Sequence, residues 1–292
     1  MIFIGDFMKN LKIIGACTDL GVDVDGADKG PSTLIHNLNY NNSIIINKPY
    51  CIKSHNPKDL KKNLDEVNYF NTELFNTIKG IIKEGFFPIT LGGDHSMAIA
   101  SALASRSING NIGIIWIDAH LDYNTFETTI TGNLHGLPLA AINGICKPLT
   151  NFTNDYINPK NTVVVGYRAK ESNKDAELNN IKKMGVTVFD DDYIKENGIE
   201  YTIKKAFEIA LNGTIGVHVS YDLDVIAEEF APGVSVPELG GFDLDTAYKV
   251  KNFLIDNINK IKSFDLVEFN PTRDINNKTL NIALNIINSF LK

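Results

Sequence analysis

Cysteine is scarce in this 292-residue chain: Cys17, Cys51 and Cys146 are its three, widely separated and odd in number. No CxxC occurs, so a disulfide framework is excluded. That usage points to a reducing compartment, and a cytoplasmic location is expected. Long apolar runs are missing too. No stretch approaches the roughly 18 uncharged apolar residues of a membrane span. The opening MIFIGDFMKN has no basic start and too short an apolar core for a signal peptide. Positive charge is not in excess either: 28 Lys and Arg against 35 Asp and Glu give a net charge of −7. With no basic stripe and no aromatic platform, neither a nucleic acid nor a membrane is expected as a partner.

What is present is ordinary globular composition, 43% hydrophobic and 22% charged. Short β-branched runs at 11–16, 43–47, 86–91, 112–118, 162–167, 186–189, 215–222 and 263–268 read as strands. They are apolar on both faces, as in a parallel sheet covered by helices on both sides. Helical patterns fall between them at 57–84, 96–107, 133–142, 172–184, 201–211, 244–259 and 276–291. The expected fold is α/β, a three-layer αβα sandwich around a central, mainly parallel eight-stranded sheet, in one domain over 1–292. Met8 is a second candidate start, which would leave residues 1–7 as an N-terminal extension.

Ligands of open α/β sheets sit outside the carboxyl ends of the strands, so the residues that follow each strand matter most. Three strands end in GGDHS (Gly92–Ser96), DAHLD (Asp118–Asp122) and SYDLD (Ser220–Asp224). Side chains two apart in an extended strand share a side, so Asp118, His120 and Asp122 form one set and Asp222 and Asp224 another. His95 brings the groups to six. One DxD after a strand reads most simply as a solvated turn; three such signals together read as a metal site. Four carboxylates with no basic residue between them repel one another unless protonated or bound to a cation. Carboxylates with some imidazole and no thiolate suit Mn²⁺ better than zinc. Six ligands, with carboxylates able to bridge, suit two ions about 3.5–4 Å apart.

GGDHS, DAHLD and SYDLD, in this order, resemble the ureohydrolase (arginase/agmatinase) superfamily, and in particular its bacterial arginases. The resemblance runs from GADKGPSTL near residue 30 to VEFNPTRDINNKT near residue 274, with DAHLDYNTFETTITGNLHGLPLA (Asp118–Ala140) its most informative stretch. It implies two Mn²⁺ per subunit. His95, Asp118, Asp122 and Asp222 match the ligands of one; Asp118, His120, Asp222 and Asp224 match those of the other. Asp122 thereby joins the catalytic groups. His135 matches a histidine credited with acid/base work, and Glu268 the glutamate that receives the guanidinium. Asn124 and Thr131 match positions that bind the substrate carboxylate. The implied reaction is hydrolysis of L-arginine to L-ornithine and urea by a metal-bridging hydroxide, in a homo-oligomer, trimeric or hexameric.

Residues outside these motifs carry quieter expectations. Asp94 is expected either to orient His95 or to cap a turn. His218 is expected to be packed and hydrogen-bonded, Trp116 to lie in the core and Tyr123 at the rim. The sequence departs from the family's pattern in places. Ala227-Glu228 replaces Asp-Pro, and Val236 replaces a threonine, so that APGVSVP is similar to formimidoylglutamase. In the loop after 162–167, Glu171 takes an aspartate position counted from Arg168, while Lys174 stands where a glutamate is usual. Counted back from Gly185, Glu177 takes that glutamate position; Glu171 and Glu177 are thus the expected readers of the substrate's amino group. Leu121 and Tyr123 flank Asp122 with bulk expected to reshape the pocket. The alternative substrates are formimidoylglutamate or another guanidino acid. Agmatine has no carboxylate for TGNLHG to bind, and a weakly active subunit of this fold would be expected to have lost a ligand.

Overall fold

In the computed structural model, which describes residues 10–169 and 174–292, eight strands form one sheet in the order β2-β1-β3-β8-β7-β4-β5-β6. They are β1 (Leu11–Cys17), β2 (Ser43–Asn47), β3 (Phe87–Gly92), β4 (Gly113–Ile117), β5 (Thr162–Tyr167), β6 (Thr187–Asp190), β7 (Val217–Asp222) and β8 (Ile261–Val267). Every pairing between neighbours is parallel, beyond the mainly parallel sheet expected. All eight expected strands are present, with ends moved by up to two residues.

The helices are α1 (Gly30–Asn37), α2 (Leu64–Lys83), α3 (Ala98–Asn109), α4 (Pro138–Ile142), α5 (Lys174–Met184), α6 (Asp191–Asn197), α7 (Ile199–Ala210), α8 (Leu244–Asp256) and α9 (Lys278–Phe290). Alternation along the strands divides the core into two layers. Ile13, Leu91, Ile117, Val165, Val219 and Phe264 pack with apolar residues of α1, α6, α7, α8 and α9. Ile14, Ala16, Trp116 and Val164 pack on the opposite face with α2, α3, α4 and α5.

Two short helices were not foreseen. α1 is only eight residues long and begins with Pro at its first turn, a good start but too short for a periodic signal. α6 is capped by Asp190, whose side chain accepts the Tyr193 N–H at 2.9 Å. α2 begins at Leu64 rather than 57, because Asn63 sits in the left-handed region at φ 54° and turns the chain first.

Candidate active site

The central strands β3, β8, β7 and β4 are neighbours in the sheet, and each delivers a polar group just beyond its carboxyl end. The groups come together by local turns rather than by extended alternation. β4 ends at Ile117, and Asp122 lies in the left-handed region at φ 50°. Asp224 belongs to a 3-10 turn, Leu223–Val225, and its N–H donates to Asp222 Oδ1 at 2.8 Å. The six groups do come together, but not in the sets that strand alternation suggested: the chain curls back so that His95, Asp118 and Asp122 face one point and Asp118, His120 and Asp224 another.

His95 Nδ1 lies 3.1 Å from Asp118 Oδ2, 3.2 Å from Asp122 Oδ2 and 3.0 Å from Asp222 Oδ2. His120 Nδ1 lies 2.9 Å from Asp224 Oδ2 and 3.6 Å from Asp118 Oδ1. Two sets of donors result, His95–Asp118–Asp122 and Asp118–His120–Asp224, sharing Asp118. His95 Nδ1 and Asp118 Oδ2 are buried, yet neither has hydrogen-bond geometry with any neighbour among the described residues. Atoms so placed aim at a common point rather than at each other, and the donor chemistry fits a divalent cation.

Electrostatics say the same. Burial opposes charge on His95, yet Asp118, Asp122 and Asp222 hold its pKa well above the usual histidine value. Burial also opposes charge on His120, and Asp224, Asp118 and Glu238 outweigh it. Burial and the Asp118 charge push Asp122 up to about 7. Burial, Asp224 and Asp118 raise Asp222 well above the carboxylate range, and burial with Asp118 raises Asp224. Asp118 alone falls below it, because His120 and His95 outweigh its burial. Nearly every group is pushed toward its protonated form, so the cluster as a whole calls for positive charge.

A cavity of about 240 Å³ opens onto this cluster. His95, Asp122, Asp222, Asp224 and His120 line it, together with the expected His135, Glu268, Asn124 and Thr131. Glu268 Oε1 accepts the His95 N–H at 2.8 Å and lies 3.1 Å from His135 Nδ1. Its Oε2 is buried without a partner among the described residues. Burial opposes charge on His135, but Glu268 raises its pKa to about 9. Glu268 holds φ 65°, a costly conformation for a non-glycine residue, and its N–H is fixed to Gly93 O at 2.9 Å.

Other residues lie elsewhere than the sequence suggested. Glu177 is buried and accepts the Tyr123 N–H at 3.0 Å; it braces the Asp122–Asn124 backbone and is not among the residues lining the cavity. Glu171 and the Lys174 side chain fall outside the described residues. Tyr123 is not at the rim. It and Leu121 are fully buried in the core, and the Tyr123 hydroxyl donates to Asn143 Oδ1 at 2.8 Å, so neither reshapes the pocket directly. Asp94 caps the turn that carries His95, accepting the Ser96 N–H at 3.0 Å and the Gly21 N–H at 3.1 Å. His218 is packed as expected, 2.7 Å from Ser263 Oγ and 3.1 Å from Asp265 Oδ2.

Two residues were given no role in the sequence reading. Ser220 Oγ lies 2.9 Å from His95 Nε2; its place two before Asp222 on β7 was the available signal. Glu238 lines the cavity with its Oε1 3.5 Å from His120 Nε2. It sits on a loop far from any strand end, where no pattern pointed to it.

An acid-and-imidazole cluster able to hold metal ions, at the carboxyl edge of a three-layer α/β sheet, is an arrangement of the kind metallohydrolases use. The chain belongs to the arginase family, whose sequence profile matches residues 9–292. It is 35% identical to the arginase of Bacillus subtilis (strain 168), with 97% of this chain and 98% of that one covered. The solved arginase of Bacillus caldovelox superposes with a TM-score of 0.86 at 30% identity, over 97% of this chain and 98% of that one. The Entamoeba histolytica arginase solved with L-ornithine gives 0.85 at 28% identity, over 96% and 97%.

Proposed function

We propose that this protein hydrolyses the guanidinium group of L-arginine to give L-ornithine and urea, using two Mn²⁺ per subunit. It would work in the cytoplasm as a single-domain homo-oligomer, trimeric or hexameric. The observation that carries the reading is the unpartnered Glu268 Oε2 in the wall of a cavity that opens onto two donor sets sharing Asp118. The arginases it resembles over nearly its whole length support the same reaction.

His95, Asp118, Asp122 and Asp222 would hold one cation, and Asp118, His120, Asp222 and Asp224 the other. Bound there, the ions supply hydroxide near neutral pH by lowering the pKa of water. Glu268 offers Oε2 to the guanidinium N–H groups, a charge-assisted contact that orients the substrate. Asn124 and Thr131, on the same cavity wall, would receive the α-carboxylate. Glu171 and Glu177 remain the proposed determinants of α-amino recognition, Glu177 through the Tyr123 backbone it braces. His135 stands beside Glu268, which favours its protonated ring, the form able to give the leaving amine a proton.

The test is urea release from L-arginine by Mn²⁺-loaded protein, with Asp122→Ala as control. Robust release that disappears in the control supports the reading. No release from protein that has bound its metal overturns the substrate. Val236, which lines the cavity without a hydroxyl, favours the second reading in that event, hydrolysis of an amidino acid such as formimidoylglutamate.

A further inference from the structure

His120 turns Nδ1 toward Asp224 Oδ2 and Asp118 Oδ1, at 2.9 and 3.6 Å, and Nε2 toward Glu238 Oε1, at 3.5 Å. A ring that gives Nδ1 to a cation carries its proton on Nε2 when neutral, and that N–H needs an acceptor. Histidine ligands in general find one in a carboxylate, which fixes the tautomer, holds the ring plane and makes the ligating nitrogen more basic. Glu238 is the carboxylate on that side of His120.

The loop bearing Glu238 is held firmly. Arg168 spans it and the loop of Asp224: Nη2 donates to Asp224 O at 2.7 Å and to Glu238 O at 3.4 Å. Its Nη1 donates to Val225 O at 3.0 Å and its Nε to Leu239 O at 3.2 Å. The Arg168 N–H itself donates to Ala119 O at 2.9 Å, beside His120. Gly241, at φ 112°, leaves the space the guanidinium fills, since a Cβ there would lie 2.6 Å from Arg168 Cζ. The guanidinium thus ties together the backbones that present Asp224 and Glu238, while the Arg168 N–H ties the same residue to the backbone beside His120.

We propose that Glu238 is a positioning residue for this enzyme's metal centre, backing His120 through Nε2, with Arg168 fixing the distance between them. The inference rests on the reading of His120 as a metal ligand. It assigns no contact with substrate to Glu238.

The experiment is calorimetric titration of chelator-stripped full-length protein with Mn²⁺. Parent, Glu238→Gln, Glu238→Ala, Arg168→Lys and His120→Ala chains are compared, each first checked for an unchanged far-ultraviolet spectrum. The parent is expected to bind two ions. Glu238→Ala should weaken one of them by roughly 10–100-fold and leave the other unchanged, with Glu238→Gln falling between. Arg168→Lys should weaken the same ion, because a lysine cannot span four carbonyls. Unchanged affinities in both Glu238 variants would overturn the inference. So would a raised KM for L-arginine with both affinities intact, which would make Glu238 a substrate contact. If His120→Ala also leaves both affinities intact, it is the ligand assignment that has failed. The Arg168 and Gln variants keep the test decisive should Glu238→Ala not fold.

Discussion

The backbone N–H of His95 donates to Glu268 Oε1 at 2.8 Å, joining two residues 173 positions apart in the chain. The bond ties the loop after β3 to the end of β8, and so ties a proposed metal ligand to the proposed guanidinium receptor. Among the described residues nothing takes up Oε2 of that carboxylate, which leaves it for substrate. Glu268→Gln keeps the shape but removes the charge. With a charge-assisted hydrogen bond worth about 3 kcal/mol, kcat/KM for L-arginine should fall by roughly 100-fold. Mn²⁺ content should not change. Steady-state urea release together with metal analysis checks both halves, and a Gln variant of full activity would remove Glu268 from the mechanism.

Asp118 is shared by both donor sets, while Asp122 and Asp224 each belong to one. The variants should therefore differ in stoichiometry. Asp118→Asn is expected to lose both ions after gel filtration in metal-free buffer. Asp122→Asn and Asp224→Asn should each retain about one per chain, since each removes a ligand from one set only. Elemental analysis of the filtered proteins gives the answer. Equal losses from all three would mean that the two sets do not bind independently.

Much of this was legible in advance because the chemistry is written at strand ends. β-branched runs mark the eight strands, and the acidic and histidine residues follow three of them directly. Their convergence was legible for a partly mistaken reason. Period-two alternation would have kept Asp222 and Asp224 on one side of a strand, whereas a 3-10 turn brings them together. Glu238 was hidden because its proposed role depends on the loop over which Arg168 reaches, a tertiary contact with no local signature. Tyr123 was misplaced for a related reason. An aromatic next to a pocket residue reads as rim, but Asn143 offers its hydroxyl a buried partner, and the ring follows it inward.

The GGDHS stretch shows what a glycine pair can be for. A Cβ at Gly93 would lie 1.8 Å from Thr18 O, inside any tolerable contact. The close approach allows the Gly93 N–H to reach Ala16 O and the Asp94 N–H to reach Thr18 O, both at 2.9 Å. These bonds set the path of the backbone that carries His95. Gly93→Ala should cost about 3 kcal/mol or more, because backbone rather than a flexible side chain must move. Denaturant unfolding would show a lowered midpoint. A neutral result would mean that β1 and β3 separate more easily than their pairing suggests.

The pKa shifts fix the sign of a pH effect in the metal-free protein. Asp122 is raised from 3.8 to about 7, and His135 from 6.5 to about 9. Both hold their protons more tightly folded than unfolded. Between about pH 4 and 9 the unfolded chain therefore binds fewer protons, and stability falls as pH rises. The His135 contribution is fully present below its unfolded value of 6.5 and is lost as pH passes about 9. Ionised Asp122 adds a penalty that accumulates from 3.8 to about 7. Asp122 is a proposed cation ligand, so cation binding must displace its proton and becomes stronger as pH rises toward about 7. The stripped protein should melt lower near pH 8.5 than near pH 6. Saturating Mn²⁺ should raise the melting temperature more at the higher pH than at the lower. Thermal melts at the two pH values, with and without Mn²⁺, measure both slopes. A stripped protein that grows more stable with rising pH would show that the protons are held elsewhere than in this cluster.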